Sequence, residues 1–423
     1  MREMKDSGIE WVGAIPQNWQ LSKIGSLYTQ RNEKVSDKDY QPLSVTMQGI
    51  LPQLATAAKT DDGDNRKLVR VGDFAINSRS DRRGSCGISP LDGSVSLINI
   101  ILTPRTAMHP GYYNWLFHTT LFADEFYKWG HGIVADLWTT RWQEMKSITV
   151  PVPEYAEQER IAAFLDAECA EIDAVLEKTR ASIEEYKKLK QAVITQAVTK
   201  GIRGDRPMKD SGIEWIGDIP AEWEIRKIFR AINKVGDIDH YMPDSVDDGI
   251  PYLMTGDLQE KLSDVNLKRC KKVSFQDYEM LSSKIRVCKG DVIFARYATI
   301  GTVCFVDTED NILVSYACLI IKPNSSLLYG EFLFYYLKST AFLEEIKQYI
   351  KANTQANVGL DSVTKAKIAL PSVHEQQKIV EYLRDKCKKI DALIAKKQQY
   401  LTEIENYKKS LIYEYVTGKK EVV

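Results

Sequence analysis

Residues Glu157 to Lys200, EQERIAAFLDAECAEIDAVLEKTRASIEEYKKLKQAVITQAVTK, place apolar side chains three or four residues apart: Ile161, Leu165, Ile172, Val175, Leu176, Ile183, Tyr186, Leu189, Val193 and Ala197. No Pro or Gly interrupts the run, so it predicts one helix of about 65 Å at 1.5 Å per residue. A narrow apolar stripe on so long a helix cannot be buried on itself and requires a partner helix. Residues Glu375 to Gly418, EQQKIVEYLRDKCKKIDALIAKKQQYLTEIENYKKSLIYEYVTG, supply one at a constant offset of 218 residues. Glu157/Glu375, Gln158/Gln376, Ile161/Ile379, Leu165/Leu383, Cys169/Cys387, Ile172/Ile390, Asp173/Asp391, Ile194/Ile412, Val198/Val416 and Thr199/Thr417 match without a gap. The first helix carries seven acids and one Arg over Glu157–Glu177, then six bases and two acids over Lys178–Lys200, an order that complements the helix dipole. The second is less polarised, so charge alone leaves parallel and antiparallel pairing both open.

A second repeat flanks the first. Met4 to Trp19, MKDSGIEWVGAIPQNW, returns as Met208 to Trp223, MKDSGIEWIGDIPAEW, with twelve of sixteen positions identical at an offset of 204 residues. The chain is therefore a tandem duplication: short motif, variable block, long helix, twice over. The blocks Gln20–Val150 and Glu224–Ala369 differ in sequence and read as mixed α/β. Strand-like runs are Lys67–Val71, Phe74–Asn77, Ser96–Leu102, Val292–Tyr297, Thr302–Val306 and Ile312–Ile321. Tyr112–Trp129 and Tyr329–Tyr349 are aromatic-rich amphipathic stretches predicted as helices packed on the sheets. Gly201 to Pro207 has the breakers that end the first long helix and reads as the link between halves.

The totals bound the class. A chain of 423 residues predicts two or three domains, and 44% apolar with 27% charged residues is the balance of a soluble globular protein. The longest apolar run, Ile312–Ile321, is too short to span a bilayer, and MREMKDSGIEW lacks the apolar core of a signal peptide. Seven cysteines without a CxxC pair predict reduced thiols and a cytoplasmic location. A net charge of −1 counts mildly against a nucleic-acid binder, although an average can hide a local basic groove.

Catalytic signals are thin. The sequence contains no Gly-rich phosphate loop, no G-x-S-x-G, no H-E-x-x-H and no N/D-P-P-Y/F tetrapeptide of an adenine methyltransferase. Glu144-Met145-Lys146 and Glu345-Ile346-Lys347 have the E-x-K spacing of some nucleases, a match that chance supplies in any chain rich in Glu and Lys. The five histidines show no i, i+4 pair.

The variable blocks do share a signature. Gly72-Asp73-Phe74-Ala75-Ile76-Asn77-Ser78-Arg79 and Gly290-Asp291-Val292-Ile293-Phe294-Ala295-Arg296-Tyr297 both read as a turn, a buried strand and a polar loop. Each loop has an Arg at its start and a Gly five residues later. Such an Arg suits phosphate or the O6/N7 edge of guanine; the alternative is a solvated loop whose Arg pairs with a nearby Asp. Two polar stretches before the long helices, His131–Trp142 and Lys351–Asn357, mix amide, hydroxyl, aromatic and basic groups. They suit base edges and phosphates, or serve simply as capping loops.

Together, MKDSGIEWIGDIPAEW, the Gly-Asp-hydrophobic-Arg loop, and a Glu-Gln pair opening a long helix that ends in VTKG or VTGK resemble the specificity subunit of a type I restriction-modification system. The resemblance covers nearly the whole chain. It implies an α+β protein with two mixed α/β target-recognition domains separated by two long antiparallel coiled-coil helices, the duplication giving pseudo-twofold symmetry. The parts would be 1–153 (motif and first recognition domain), 154–201 (first spacer helix), 202–371 (second motif and recognition domain) and 372–423 (second spacer helix and tail). Each recognition domain would read one half of a split duplex DNA site, while the helices set the spacer and dock two methylation subunits. Restriction subunits complete the assembly, with no membrane involved. The family's specificity subunit has no catalytic centre and binds no cofactor or metal. S-adenosylmethionine, ATP and Mg belong to the partner subunits. Candidate DNA-binding residues are Ser78, Arg79, Arg82, Arg83 and Arg141 in the first block, and Arg296, Tyr297, Thr299, Lys351, Thr354, Gln355 and Asn357 in the second. The competing readings are a coiled-coil scaffold with two non-DNA ligand-binding modules, and a nuclease built on the E-x-K matches.

Overall fold

Both long helices form, as Tyr155–Lys200 and Val373–Val416, each starting two residues before the repeated Glu. The computed structural model describes residues 2–54, 63–132, 138–297, 301–348 and 358–422. The chain divides into two units, Met1–Arg180 with Gln399–Val423, and Ala181–Gln398, so each long helix gives one half to each unit. Within the first unit Phe164 packs on Tyr415 (4.4 Å between ring centroids), Asp173 pairs with Lys408 (2.6 Å) and Arg180 with Glu405 (2.8 Å). Within the second, Lys397 lies 5.8 Å from the Tyr186 ring and Lys190 pairs with Asp391 (2.8 Å). Partner numbers fall as first-helix numbers rise, so in each unit the helices run antiparallel.

The repeated motif explains why. Trp19 Nε1 donates to Glu157 Oε2 (2.9 Å), Arg2 pairs with the other carboxylate oxygen (2.6 Å), and the Arg2 guanidinium lies 5.3 Å from the Trp19 ring. Trp223, Glu375 and Arg206 repeat this at 3.1, 2.6 and 5.2 Å. Each clasp also touches the end of the other helix. A Cβ on Gly418 would come within 2.5 Å of Pro16 and 2.9 Å of Trp19, and one on Gly201 within 3.2 Å of Trp223. Both glycines have positive φ (71° and 75°), so glycine ends each helix and lets the Trp approach. Each motif thus ties the start of one long helix to the end of the other. Gln158 and Gln376 complete the joint: each amide donates to a preceding Pro carbonyl (Pro153, 2.8 Å; Pro371, 2.9 Å) and accepts a backbone N–H, from His109 (2.8 Å) and Tyr329 (2.7 Å). The Asp-Ser-Gly-Ile turn is also repeated, with Gly8 and Gly212 both at φ 68°.

The variable blocks share a core topology despite little shared sequence. The first has a four-stranded antiparallel sheet in the order Cys86–Ile88, Phe74–Asn77, Asn99–Pro104, Tyr28–Arg31. The second has Val303–Phe305, Val292–Ala295, Cys318–Pro323, Ile232–Gly236 in the same order. The smaller sheets differ: Gly93–Val95, Arg66–Val69 and Lys34–Val35 are all antiparallel, whereas Ile250–Leu253 pairs parallel with Leu313–Val314. Ile312–Ile321, read above as one strand, therefore breaks into two that serve different sheets. Each aromatic stretch is likewise two helices, Pro110–Phe117 with Thr120–Lys128, and Gly330–Lys338 with Thr340–Lys347. Thr119 and Ser339 make the breaks, their hydroxyls accepting from the N–H of Phe122 (3.2 Å) and Phe342 (3.3 Å) as N-caps. These helices bury Tyr112, Tyr113 and Phe117 with Ile161 and Leu165 in the first unit, and Phe332, Leu333 and Tyr336 with Ile379 and Leu383 in the second.

Candidate nucleic-acid interface

The signature strand lies inside each main sheet, and its Gly-Asp turn is structural. Gly72 and Gly290 take φ 86° and 90°. Asp73 accepts from Arg31 Nε (2.7 Å), the Thr103 hydroxyl (2.8 Å) and the Arg70 N–H (2.9 Å); its hydrogen bond raises the Arg31 pKa. Asp291 accepts from the Cys288 N–H (2.8 Å) and Lys322 (2.6 Å), and burial pushes its carboxyl pKa up.

Past the strand the two backbones stay in step, but the arginines stand one position apart, six residues after Gly290 and seven after Gly72. Ser78 N–H donates to Ile98 O (3.3 Å) and Ser78 O accepts from Thr140 N–H (3.0 Å); Arg296 N–H donates to Ala317 O (3.0 Å) and Arg296 O accepts from Val358 N–H (3.1 Å). By backbone pairing Arg296 therefore matches Ser78, and Arg79 matches Tyr297. Alternate residues of an extended segment face opposite ways, so the two arginines have different surroundings.

In the first unit the loop meets Trp138 and Thr139 of the polar stretch His131–Trp142 directly. Arg79 bridges Thr139, and Ser80 N–H donates to Trp138 O (2.9 Å). The Arg79 guanidinium is about a third exposed, with Nε 3.3 Å from Asp81. Arg82 is open to solvent, 3.9 Å from the same carboxylate. Arg83 is engaged with Asp124 and lies 6.0 Å from the Tyr127 ring. Arg141 is exposed at the start of the short helix Trp142–Met145, its N–H held by Glu144 (3.0 Å). Ser78, Arg79 and Arg141 line one groove of about 310 Å³ with Gln30, Lys67, Leu97, Ile98 and Thr139. Lys67 donates to Asn99 O (2.7 Å), and burial lowers its pKa. Three cations, an amide, hydroxyls and apolar edges are the groups that grip phosphates and read bases. Gln30, Lys67, Leu97 and Ile98 were not among the sequence candidates, because sheet pairing alone brings them to the loop.

In the second unit Arg296 is 9% exposed. Its Nη2 donates to Asp237 Oδ2 (2.5 Å) and Tyr316 O (3.3 Å) and lies 3.3 Å from His240 Nε2, while its carbon sits 4.9 Å from the Tyr297 ring. His240 stacks on Tyr316 at 4.7 Å, and Lys284 reaches Asp237 at 3.1 Å. Arg296 is thus built into a cluster rather than projecting freely, and Asp237, His240 and Tyr316 join it from distant sequence. Thr299, Lys351, Thr354, Gln355 and Asn357 lie outside the described residues.

The E-x-K glutamates have structural roles. Glu144 caps its helix, and buried Glu345 accepts the Lys367 N–H on both oxygens (3.1 and 3.0 Å). Among the described residues no three His, Cys, Asp or Glu side chains are placed to hold a metal ion, and no helix is long and apolar enough to cross a membrane.

The fold and loops define a class: duplicated α+β modules carried on a pair of long antiparallel helices. Residues 220–406 match the family model of the type I restriction modification DNA specificity domain. The chain is 24% identical over 283 residues to the type I restriction enzyme EcoBI specificity subunit of Escherichia coli, covering 65% of this chain and 59% of that protein. It is 26% identical over 288 residues to the MjaVIII specificity subunit of Methanocaldococcus jannaschii, covering 66% and 63%. The chain thus spans about three-fifths of the length of these relatives. A chain from a structure concerned with complex assembly and conformational transition of the type I R-M system shares the fold, with a TM-score of 0.71 at 15% identity over 96% of this chain and 99% of that one. The chain is thus similar to the specificity subunits of type I restriction-modification systems. These relatives do not favour a scaffold with non-DNA modules.

Proposed function

We propose that this chain is the DNA-reading, non-catalytic subunit of a type I restriction-modification assembly, acting in the cytoplasm. Segments 1–153 and 202–371 each read one half of a split duplex site, and the helical segments 154–201 and 372–423 set the spacer and dock two methylation subunits. Restriction subunits join that assembly, and S-adenosylmethionine, ATP and Mg are bound by the partners. The observation that carries this reading is the repeated strand and loop, held by the same backbone hydrogen bonds yet presenting different side chains: Ser78 and Arg79 in one unit, Arg296 and Tyr297 in the other. One frame with two unlike readers suits an asymmetric bipartite site. Ser78, Arg79, Arg82, Arg83 and Arg141 serve the first half-site; Arg296, Tyr297, Thr299, Lys351, Thr354, Gln355 and Asn357 serve the second.

The test is the methylome of a cell expressing the chain with its methylation subunits. One split adenine-methylated motif, lost when this chain is deleted, is the expected result. Methylation that is unchanged by the deletion would refute the reading.

A further inference from the structure

The strand pair between the second framework motif and the second long helix carries a charge that its counterpart lacks. Glu224–Lys227 pairs antiparallel with Lys367–Leu370, and the register sets Lys227 directly opposite Lys367. Like charges facing each other across a ladder are destabilising. The turn Ile228–Arg230 continues the first strand and brings Arg230 to the same groove, of about 660 Å³, lined by Glu224, Ile225, Arg226, Lys227, Arg230 and Lys367. Glu224 is engaged by Arg226 at 2.7 Å. Among the described residues Lys227, Arg230 and Lys367 make no ion pair. Glu345, the nearby buried carboxylate, is held by the Lys367 backbone N–H. Exposed Phe229 lies beside the Arg230 guanidinium, 5.7 Å from ring centroid to carbon. In the first unit the same strand pair is Gln20–Lys23 with Thr149–Val152, where Lys23 faces Thr149. Ser22 and Ser26 stand there at the positions of Arg226 and Arg230.

We propose that this groove is a phosphate-backbone site that grips duplex DNA flanking the second half-site without reading bases. The inference rests on the DNA-reading function above. Three cations beside an apolar ring, without an Asn or Gln amide to read an edge, suit phosphate and sugar rather than base recognition. The asymmetry argues for DNA over a methylation subunit. A surface docking one of two like subunits needs a match in the other unit, whereas a duplex crossing two unlike readers meets each unit once.

The experiment uses the full chain assembled with its methylation subunits, on a duplex carrying both half-sites, titrated across a salt series. Each lost phosphate contact should lower the slope of log K against log salt by about 0.9, so Lys227→Gln with Arg230→Gln should lower it by roughly 2. The preferred half-sites should not change. The charge-keeping pair Lys227→Arg with Arg230→Lys should retain the wild-type slope, which separates lost charge from lost fold. An unchanged slope in the Gln variant overturns the proposal, and so does a loss of methylation-subunit binding at constant slope, which assigns the groove to a protein partner. A wild-type assembly that prefers no split site refutes the DNA-reading function itself, before any variant is made.

Discussion

Arg79 and Arg296 look alike in sequence, but their surroundings predict opposite behaviour. The Arg79 guanidinium is partly exposed, with Asp81 at 3.3 Å its one ion-pair partner among the described residues, so Arg79→Ala should leave thermal stability almost unchanged. It should weaken binding by roughly 1–3 kcal/mol at one position of the first half-site, the worth of a bidentate Arg–base contact. Arg296 is buried against Asp237, Tyr316 and the Tyr297 ring. Arg296→Ala leaves the Asp237 carboxylate only Lys284 at 3.1 Å and His240 at 3.8 Å among the described residues and should cost roughly 1–3 kcal/mol of stability, as well as weakening recognition of the second half-site. Differential scanning calorimetry and binding to half-site variants check both. If Arg296→Ala leaves the melting temperature unchanged, the cluster is not structural; if it weakens every sequence equally, Arg296 contacts phosphate.

Elements are held by joints rather than by propensity. The Trp–Glu–Arg clasp is a buried, charge-assisted contact at the start of each long helix; removing its carboxylate unpairs the indole N–H and leaves Arg2 with Asn18 (3.3 Å) and Arg206 with Glu222 (3.1 Å) and the Lys200 carbonyl (2.9 Å). Glu157→Ala and Glu375→Ala should each cost roughly 2–4 kcal/mol, with Glu→Gln milder, because the amide still accepts from the Trp. Urea denaturation reads both values, and a loss below about 1 kcal/mol would reduce the clasp to a surface ion pair. The helix breaks give a smaller effect. Ser339→Ala and Thr119→Ala remove N-caps and should cost about 1 kcal/mol each.

At the scale of the molecule, each motif binds the start of one long helix and the end of the other. A ruler made from this pair cannot be lengthened on one side only. Four residues added to the first helix alone would shift it about 6 Å against clasps at both ends. A matched addition, duplicating Ala181–Glu184 together with Gln399–Thr402, adds just over one turn to each helix and respects the antiparallel pairing. Six ångströms is between one and two base-pair steps at about 3.4 Å, so the spacer between the half-sites should lengthen by one or two base pairs while the half-sites stay the same. Methylome sequencing reads the outcome. An unchanged spacer would assign the distance to the partner subunits.

The duplication, the long helices, the turn and strand of each signature loop, and the resemblance to the specificity subunits are legible in the sequence. These rest on local periodicity and on repeated identities that a single chain displays without its fold. Tertiary structure alone decided the rest. Antiparallel pairing, which helix charge left open and the resemblance alone implied, follows from the clasp in which Trp19 reaches Glu157 across 138 residues and from Tyr112, which donates to Val416 O across 304. The burial of Arg296 followed from Asp237, 59 residues away, whereas its one-position offset from Arg79 already stands in the sequence. A one-residue step in an extended segment turns a side chain to the other face, and what each face meets depends on partners that no short window contains.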